Sequence, residues 1–170
     1  MRNTLAGLLL GLMAVPALAQ QPVTAVVVPS EVPYSNKEAI DSAIVAECGL
    51  PKKTAELLMQ ALAQAGIEGK TAESPKPGAG ANVLLLEIAQ AQSGGNAFVG
   101  HFKGVTVTGK LFQDGKQTAS FVATRKSSGG AFGGFKGSCA ILGRCVQAIG
   151  QDTARWLKSP VDGAKLGDAR

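Results

Sequence analysis

Val105-Thr106-Val107-Thr108-Gly109-Lys110-Leu111-Phe112-Gln113-Asp114-Gly115-Lys116-Gln117-Thr118-Ala119-Ser120-Phe121-Val122-Ala123-Thr124 is the stretch on which the fold turns. Val105, Val107 and Leu111 alternate with Thr106, Thr108 and Lys110, the two-residue period of a half-buried strand. Asp114-Gly115 is a turn pair whose members tolerate positive φ. Ala119, Phe121 and Ala123 then alternate with Ser120, Val122 and Thr124 as the chain returns. The stretch predicts an antiparallel hairpin with one face turned to a core.

Upstream, Asn82 to Gln92 carries the continuous apolar run Val83 to Leu86, as a central strand does. Val23 to Val28, ending at Pro29, reads as a first strand. Ser35-Asn36-Lys37-Glu38 has the S-x-x-E form of a capping box and predicts a helix start. Ile40, Ala43, Ile44 and Glu47 follow at helical spacing, and Gly49 is a stop signal. Pro51 then restarts a helix at a tolerated first-turn position. Leu57, Leu58, Ala61, Leu62 and Ala65 give it one apolar face, and Gly66 ends it. Residues 69–81 are rich in Pro and Gly and read as a surface connection.

Downstream, Ser138 is the expected N-cap of a last helix. Ile141, Leu142, Cys145, Val146, Ile149, Thr153, Trp156 and Leu157 keep its 3.6-residue stripe until Ser159-Pro160. The expected fold is α/β, more narrowly α+β: a two-layer sandwich with a mixed four-stranded sheet and helices on one face. Its order is β-α(α)-β-β-β-α within a single domain, residues 20–160, followed by a disordered tail, residues 161–170. The first helical crossover predicts parallel flanking strands.

The N-terminus reads as a cleavable signal peptide, residues 1–19. Arg2 supplies the positive charge, Leu5 to Val15 the apolar run, and Ala17-Leu18-Ala19 a small-x-small cleavage site. The run falls short of the roughly 20 residues that span a bilayer, and no later stretch reaches that length. The mature chain is therefore expected to be periplasmic or secreted, without a transmembrane segment. Its charge is uneven. Residues 20–92 carry net −3 and residues 93–170 net +7. Such a basic half points to an anionic partner, an envelope protein or a cell-wall or membrane component, and an exported chain with few aromatics argues against nucleic acid.

Two segments carry a resemblance. One is Ala46-Glu47-Cys48-Gly49-Leu50-Pro51. The other runs from Ser127 through Ser128-Gly129-Gly130-Ala131-Phe132-Gly133-Gly134-Phe135-Lys136-Gly137-Ser138-Cys139 to Ile141-Leu142-Gly143-Arg144-Cys145 and Trp156-Leu157. They resemble an uncharacterised family of exported Gram-negative bacterial proteins and, more loosely, a domain of unknown function in envelope lipoproteins. The resemblance spans most of residues 38–160. It implies an envelope setting and an α/β domain like those of small envelope lipoproteins, but no reaction. A lipobox cysteine is missing, so lipid anchoring does not carry over.

Cys48, Cys139 and Cys145 make an odd set for an oxidising compartment, where a disulfide is the default. On one helix Cys139 and Cys145 stand about 9 Å apart along the axis, beyond the roughly 4.4 to 6.8 Å that a disulfide bridges. Parallel strands before the two helical regions bring both helix starts to one end of the sheet. Cys48–Cys139 is the favoured pair, with Cys48–Cys145 and Cys139–Cys145 as alternatives. A catalytic thiol needs a base, and His101 is the only histidine.

The Gly-rich run does not meet the phosphate-loop pattern G-x-x-x-x-G-K-S/T, since Phe135 separates Gly134 from Lys136. Metal-ligand spacings are also missing from the sequence, and paired acids from its Gly-rich end. No cofactor and no enzymatic activity are expected. Phe98 and Phe102 lie in the glycine-rich stretch Ser93 to Gly104, and Phe132 and Phe135 in the second one. Lys103, Arg125, Lys136 and Arg144 add positive charge beside them. Aromatics with cations on glycine-rich loops fit an interaction surface. The bland alternative is that these phenylalanines fold back and seal the core. The expected function is a non-enzymatic interaction domain acting through these loops. The alternative is a soluble carrier of a small apolar or anionic ligand held between the helices and the loops.

Overall fold

The computed structural model describes residues 22–96, 100–127 and 137–170. The expected signal peptide lies outside them. Among the described residues a mixed sheet has the order β2-β1-β3-β4-β5-β6. Its strands are β1 (Ala25–Pro29), β2 (Glu68–Ala72), β3 (Asn82–Asn96), β4 (Gly100–Gln113), β5 (Lys116–Ser127) and β6 (Ala164–Gly167). The helices are α1 (Ser42–Glu47), α2 (Leu50–Gln64) and α3 (Ser138–Leu157). Mixed α/β is the class expected, but the sheet has six strands rather than four.

The hairpin forms as the alternation requires. Asp114 and Gly115 both take positive φ, 49° and 77°, which turns β4 into β5 with matching twist. Val105, Val107 and Leu111 of β4 and Ala119, Phe121 and Ala123 of β5 are buried. Gly109 lies opposite Phe121, whose ring occupies the space a Cβ at Gly109 would need. Phe121 in turn meets Trp156 of α3 edge to face, with ring centroids 4.9 Å apart. The apolar stripe of α3 packs on this face, and Gly150 lets α3 approach the backbone of α2 at Leu57 and Leu58.

Both extra strands lie at the sheet edges. β2 pairs parallel with β1 from Ala25↔Glu68 to Pro29↔Ala72. Its sequence, Glu-Gly-Lys-Thr-Ala, has no apolar alternation, because main-chain hydrogen bonds rather than side-chain burial hold it. β6 corrects the expected disordered tail. It pairs parallel with β5 from Phe121↔Ala164 to Thr124↔Gly167. Around it, Ser120 Oγ donates to Asp162, Trp156 Nε1 donates to the Val161 carbonyl, and the Asp168 amide donates to the Thr124 carbonyl. Composition hid this strand, since Gly, Asp and Lys carry no burial signal.

The helix starts also shift. Asn36, not Ser35, caps only a short 3-10 turn, and Asp41 caps α1 by accepting from the Ala43 amide at 2.8 Å. Gly49 takes φ 54° between α1 and α2, and Pro51 falls in the first turn of α2. Gly137, not Ser138, precedes α3. β1, β3 and β5 run parallel to one another, so the starts of α2 and α3 meet at one end of the sheet. There Cys48 and Cys139 are joined as a disulfide with Cα atoms 4.9 Å apart, and Cys145 is a buried free thiol.

Candidate functional site

Glycine-rich residues 93–104 are expected as a loop, yet most of them extend the sheet. Ser93 pairs with Lys103, Gly94 with Phe102, Gly95 with His101 and Asn96 with Gly100. Pairing of the main chain, available to glycine as to any residue, outweighs the turn-forming tendency of the composition. The strands therefore project beyond β1, and alternation sends neighbouring side chains to opposite faces.

That alternation divides the sequence candidates. Lys103 is buried on the face that the helices cover, in line with Val105 and Val107. Arg125 lies on the same face. Its Nε and Nη2 donate to the two carboxylate oxygens of Asp152 at 2.7 and 2.8 Å, and its Nη1 stands 3.8 Å from Asp168. Arg155, one turn further along α3, also donates to Asp152. The hydrogen bond with Asp152 raises the Arg125 pKa above its ordinary value, with burial opposing. Arg125 thus fastens β5 to α3 and to the chain after β6 and is not a free surface cation. Ser93 Oγ donates to Ser138 Oγ at 2.8 Å and ties β3 to the start of α3.

Phe102 lies on the other face, 42% exposed. Lys126 Nζ stands 5.9 Å from its ring centroid, a cation–π distance. A depression of about 170 Å³ is lined here by Gln90, Gln92, Phe102, Thr106, Thr124 and Lys126, among others. Thr106 and Thr124 share a hydrogen bond of 3.0 Å across β4 and β5. No described helix covers this face. Phe98, Phe132, Phe135 and Lys136 lie outside the described residues, as does the rest of the second glycine-rich run up to residue 136.

Sequence reasoning missed Lys126, the two glutamines and the Thr pair. Their signal was the polar half of the same alternation that revealed the strands. It also missed Asp152, an acid set on the apolar stripe between Ile149 and Trp156. An acid there implies a buried partner.

No family model matches this chain, and no curated protein resembles it in sequence. Solved structures align with it in three dimensions. The protein XCC0632 from Xanthomonas campestris, of the family DUF330, superposes with a TM-score of 0.57 at 11% identity, over 83% of this chain and 87% of its own. It shares the fold. A minor lipoprotein from Acinetobacter baumannii aligns with a TM-score of 0.48 at 14% identity, over 82% of this chain and 93% of its own. A PelC dodecamer from Paraburkholderia phytofirmans aligns with a TM-score of 0.46 at 14% identity, over the same shares.

Among the described residues no group of three His, Cys, Asp or Glu side chains is placed to hold a metal ion. No described helix is long and apolar enough to cross a membrane. What the uncovered face offers chemically is an aromatic ring, a lysine, two carboxamides and two hydroxyls lining one depression, with the carboxylate of Asp168 and the guanidinium of Arg170 from the chain end beside them.

Proposed function

We propose that this chain is an exported, envelope-associated interaction domain without enzymatic activity, binding an anionic envelope protein or polymer through the uncovered end of β3, β4 and β5. The observation that carries this reading is Phe102, exposed beside Lys126 on a sheet face that no described helix covers. An aromatic side chain that costs free energy in water, next to a cation, is the usual anchor of an interface. The leader-like N-terminus and the disulfide support a compartment outside the cytoplasm. Support for an anionic partner comes from the exposed cation Lys126 beside Phe102, and not from Arg125, which Asp152 holds.

The test compares residues 20–170 with a Phe102→Ser, Lys126→Ser variant in capture from a solubilised envelope fraction and in co-sedimentation with purified cell-wall polymer. A partner held by the parent and lost by the folded variant is the expected result. Equal retention by both, or by neither, overturns the assignment to this face.

A further inference from the structure

A larger hollow, about 680 Å³, lies away from this face end, where β1 stops and α2 begins. Four prolines line it: Pro29, Pro33, Pro51 and Pro75. Tyr34, Val45 and Leu85 add apolar wall. Its size falls within the roughly 300 to 1,000 Å³ of small-molecule sites. None of its lining residues belongs to the described glycine-rich stretch Ser93 to Gly104.

The walls are fixed before anything binds. Proline holds its own φ near one value. The main chain between the prolines is also pinned to three elements. The Ser30 amide donates to the Ala72 carbonyl of β2 at 2.8 Å, and the Val32 amide donates to the Pro51 carbonyl at 3.0 Å. The Ile88 amide of β3 donates to the Pro33 carbonyl at 2.8 Å, and the Ser35 amide to the Ile88 carbonyl at 3.1 Å. A preformed cavity spares a ligand the cost of ordering its site.

Charge at the rim sets the class of ligand. Glu31, Glu73 and Glu87 line the hollow against a single Lys37, and all four are exposed. None of these carboxylates has an ion-pair partner among the described residues. Burial raises the Tyr34 pKa, so its phenol stays neutral and adds no charge. The acidic half of the chain, residues 20–92, supplies every one of these groups. An anion would meet net negative charge here, and a purely apolar molecule would leave the carboxylates unused.

We infer that the hollow bounded by Pro29, Pro33, Pro51 and Pro75 binds a small amphipathic cation, its apolar part against the prolines, Val45 and Leu85 and its ammonium at the rim, where Glu31, Glu73 and Glu87 outnumber Lys37. This stands independently of the interface at Phe102, with which the hollow shares no lining residue.

The test uses octylammonium as probe and octyl sulfate as its anionic counterpart, with binding read by calorimetry and by amide chemical shifts. Octylammonium is expected to bind saturably at one site, shifting the amides of Tyr34, Val45, Leu85 and Glu87. A Glu31→Gln, Glu73→Gln, Glu87→Gln variant, all at exposed positions, is expected to weaken it about tenfold, from three exposed pairs of modest strength. Octyl sulfate is expected to bind at least as many times more weakly than octylammonium. Equal affinity for the two probes, loss of nothing in the triple variant, shifts centred on Phe102 and Lys126, or no saturable binding would each overturn the inference.

Discussion

Arg125 and Lys126 are neighbours on β5 with opposite environments. The first turns to the helices and clamps the Asp152 carboxylate in two hydrogen bonds, with Asp152 only 6% exposed. The second turns to solvent and rests over the Phe102 ring. A buried carboxylate needs its cation, because an unpaired charge there lacks water and partner alike. An exposed ammonium needs nothing, so its contact with Phe102 is weak and exchangeable. One strand therefore uses one cation to hold the fold together and leaves the next available for binding. Counting both toward a basic surface, as a charge tally does, overstates what a partner meets.

The covered side is also where the largest losses are expected. The disulfide there closes a sequence separation of 91 residues, and its removal as Cys48→Ser with Cys139→Ser should cost roughly 4 kcal/mol in unfolded-chain entropy. Urea titration of oxidised parent and double variant measures it. A loss under about 1 kcal/mol would mean that packing alone fixes the starts of α2 and α3.

Between the two cations the contrast is sharper. Asp152→Asn leaves Arg125 and Arg155 without their shared carboxylate and should cost about 2 to 3 kcal/mol, less than a fully buried pair because Arg125 is 30% exposed. Lys126→Gln should fall within about 0.5 kcal/mol of the parent. Similar costs for the two substitutions in thermal or urea melts would erase the division between a structural and a free cation.

The hairpin was legible because its two-residue alternation brackets an Asp-Gly turn; helix α3 was legible because its stripe recurs at helical spacing from Ile141 to Leu157. The edge strands were not. β2 is short and mostly exposed and β6 has four residues, of which only Ala164 and Leu166 touch the core, so pairing with a parallel partner supplies most of what holds them in place. The extension of β3 and β4 past Gly94 was hidden for a related reason: glycine permits a turn, but only a facing strand decides whether one forms. Of the candidate site, Phe102 could be read as an aromatic on a glycine-rich segment. The opposed directions of Phe102 and Lys103, and of Arg125 and Lys126, required the strand register. The proline-walled hollow brings Pro51 of α2 and Leu85 of β3 together with Pro33 and Pro75 from two connecting segments, a juxtaposition that no local pattern encodes.

The smallest effect distinguishes the faces by pH. Cys145 sits on the covered face, and burial pushes its thiol above the ordinary value of 9.0; Asp168 adds to the rise, while Arg144 and Arg125 oppose it. As pH climbs past 9.0, the unfolded thiol loses its proton while the native thiol keeps it. The folded state then binds more protons than the unfolded state, so stability must fall with rising pH. The contribution is complete below 9.0 and disappears as pH passes through the raised native value, with a slope of at most about 1.4 kcal/mol per pH unit. Tyr34 is also raised by burial, but from 10.0, so the interval between these two ordinary values isolates the thiol. Cys145→Ala should remove this part of the slope while shifting stability by a pH-independent amount for the lost sulfur. Lys126→Gln, on the open face, should leave the slope as it is. Urea midpoints collected across that interval decide the matter: a slope that survives in Cys145→Ala places the alkaline sensitivity elsewhere, and one that vanishes ties it to the side of the sheet where Arg125 is held.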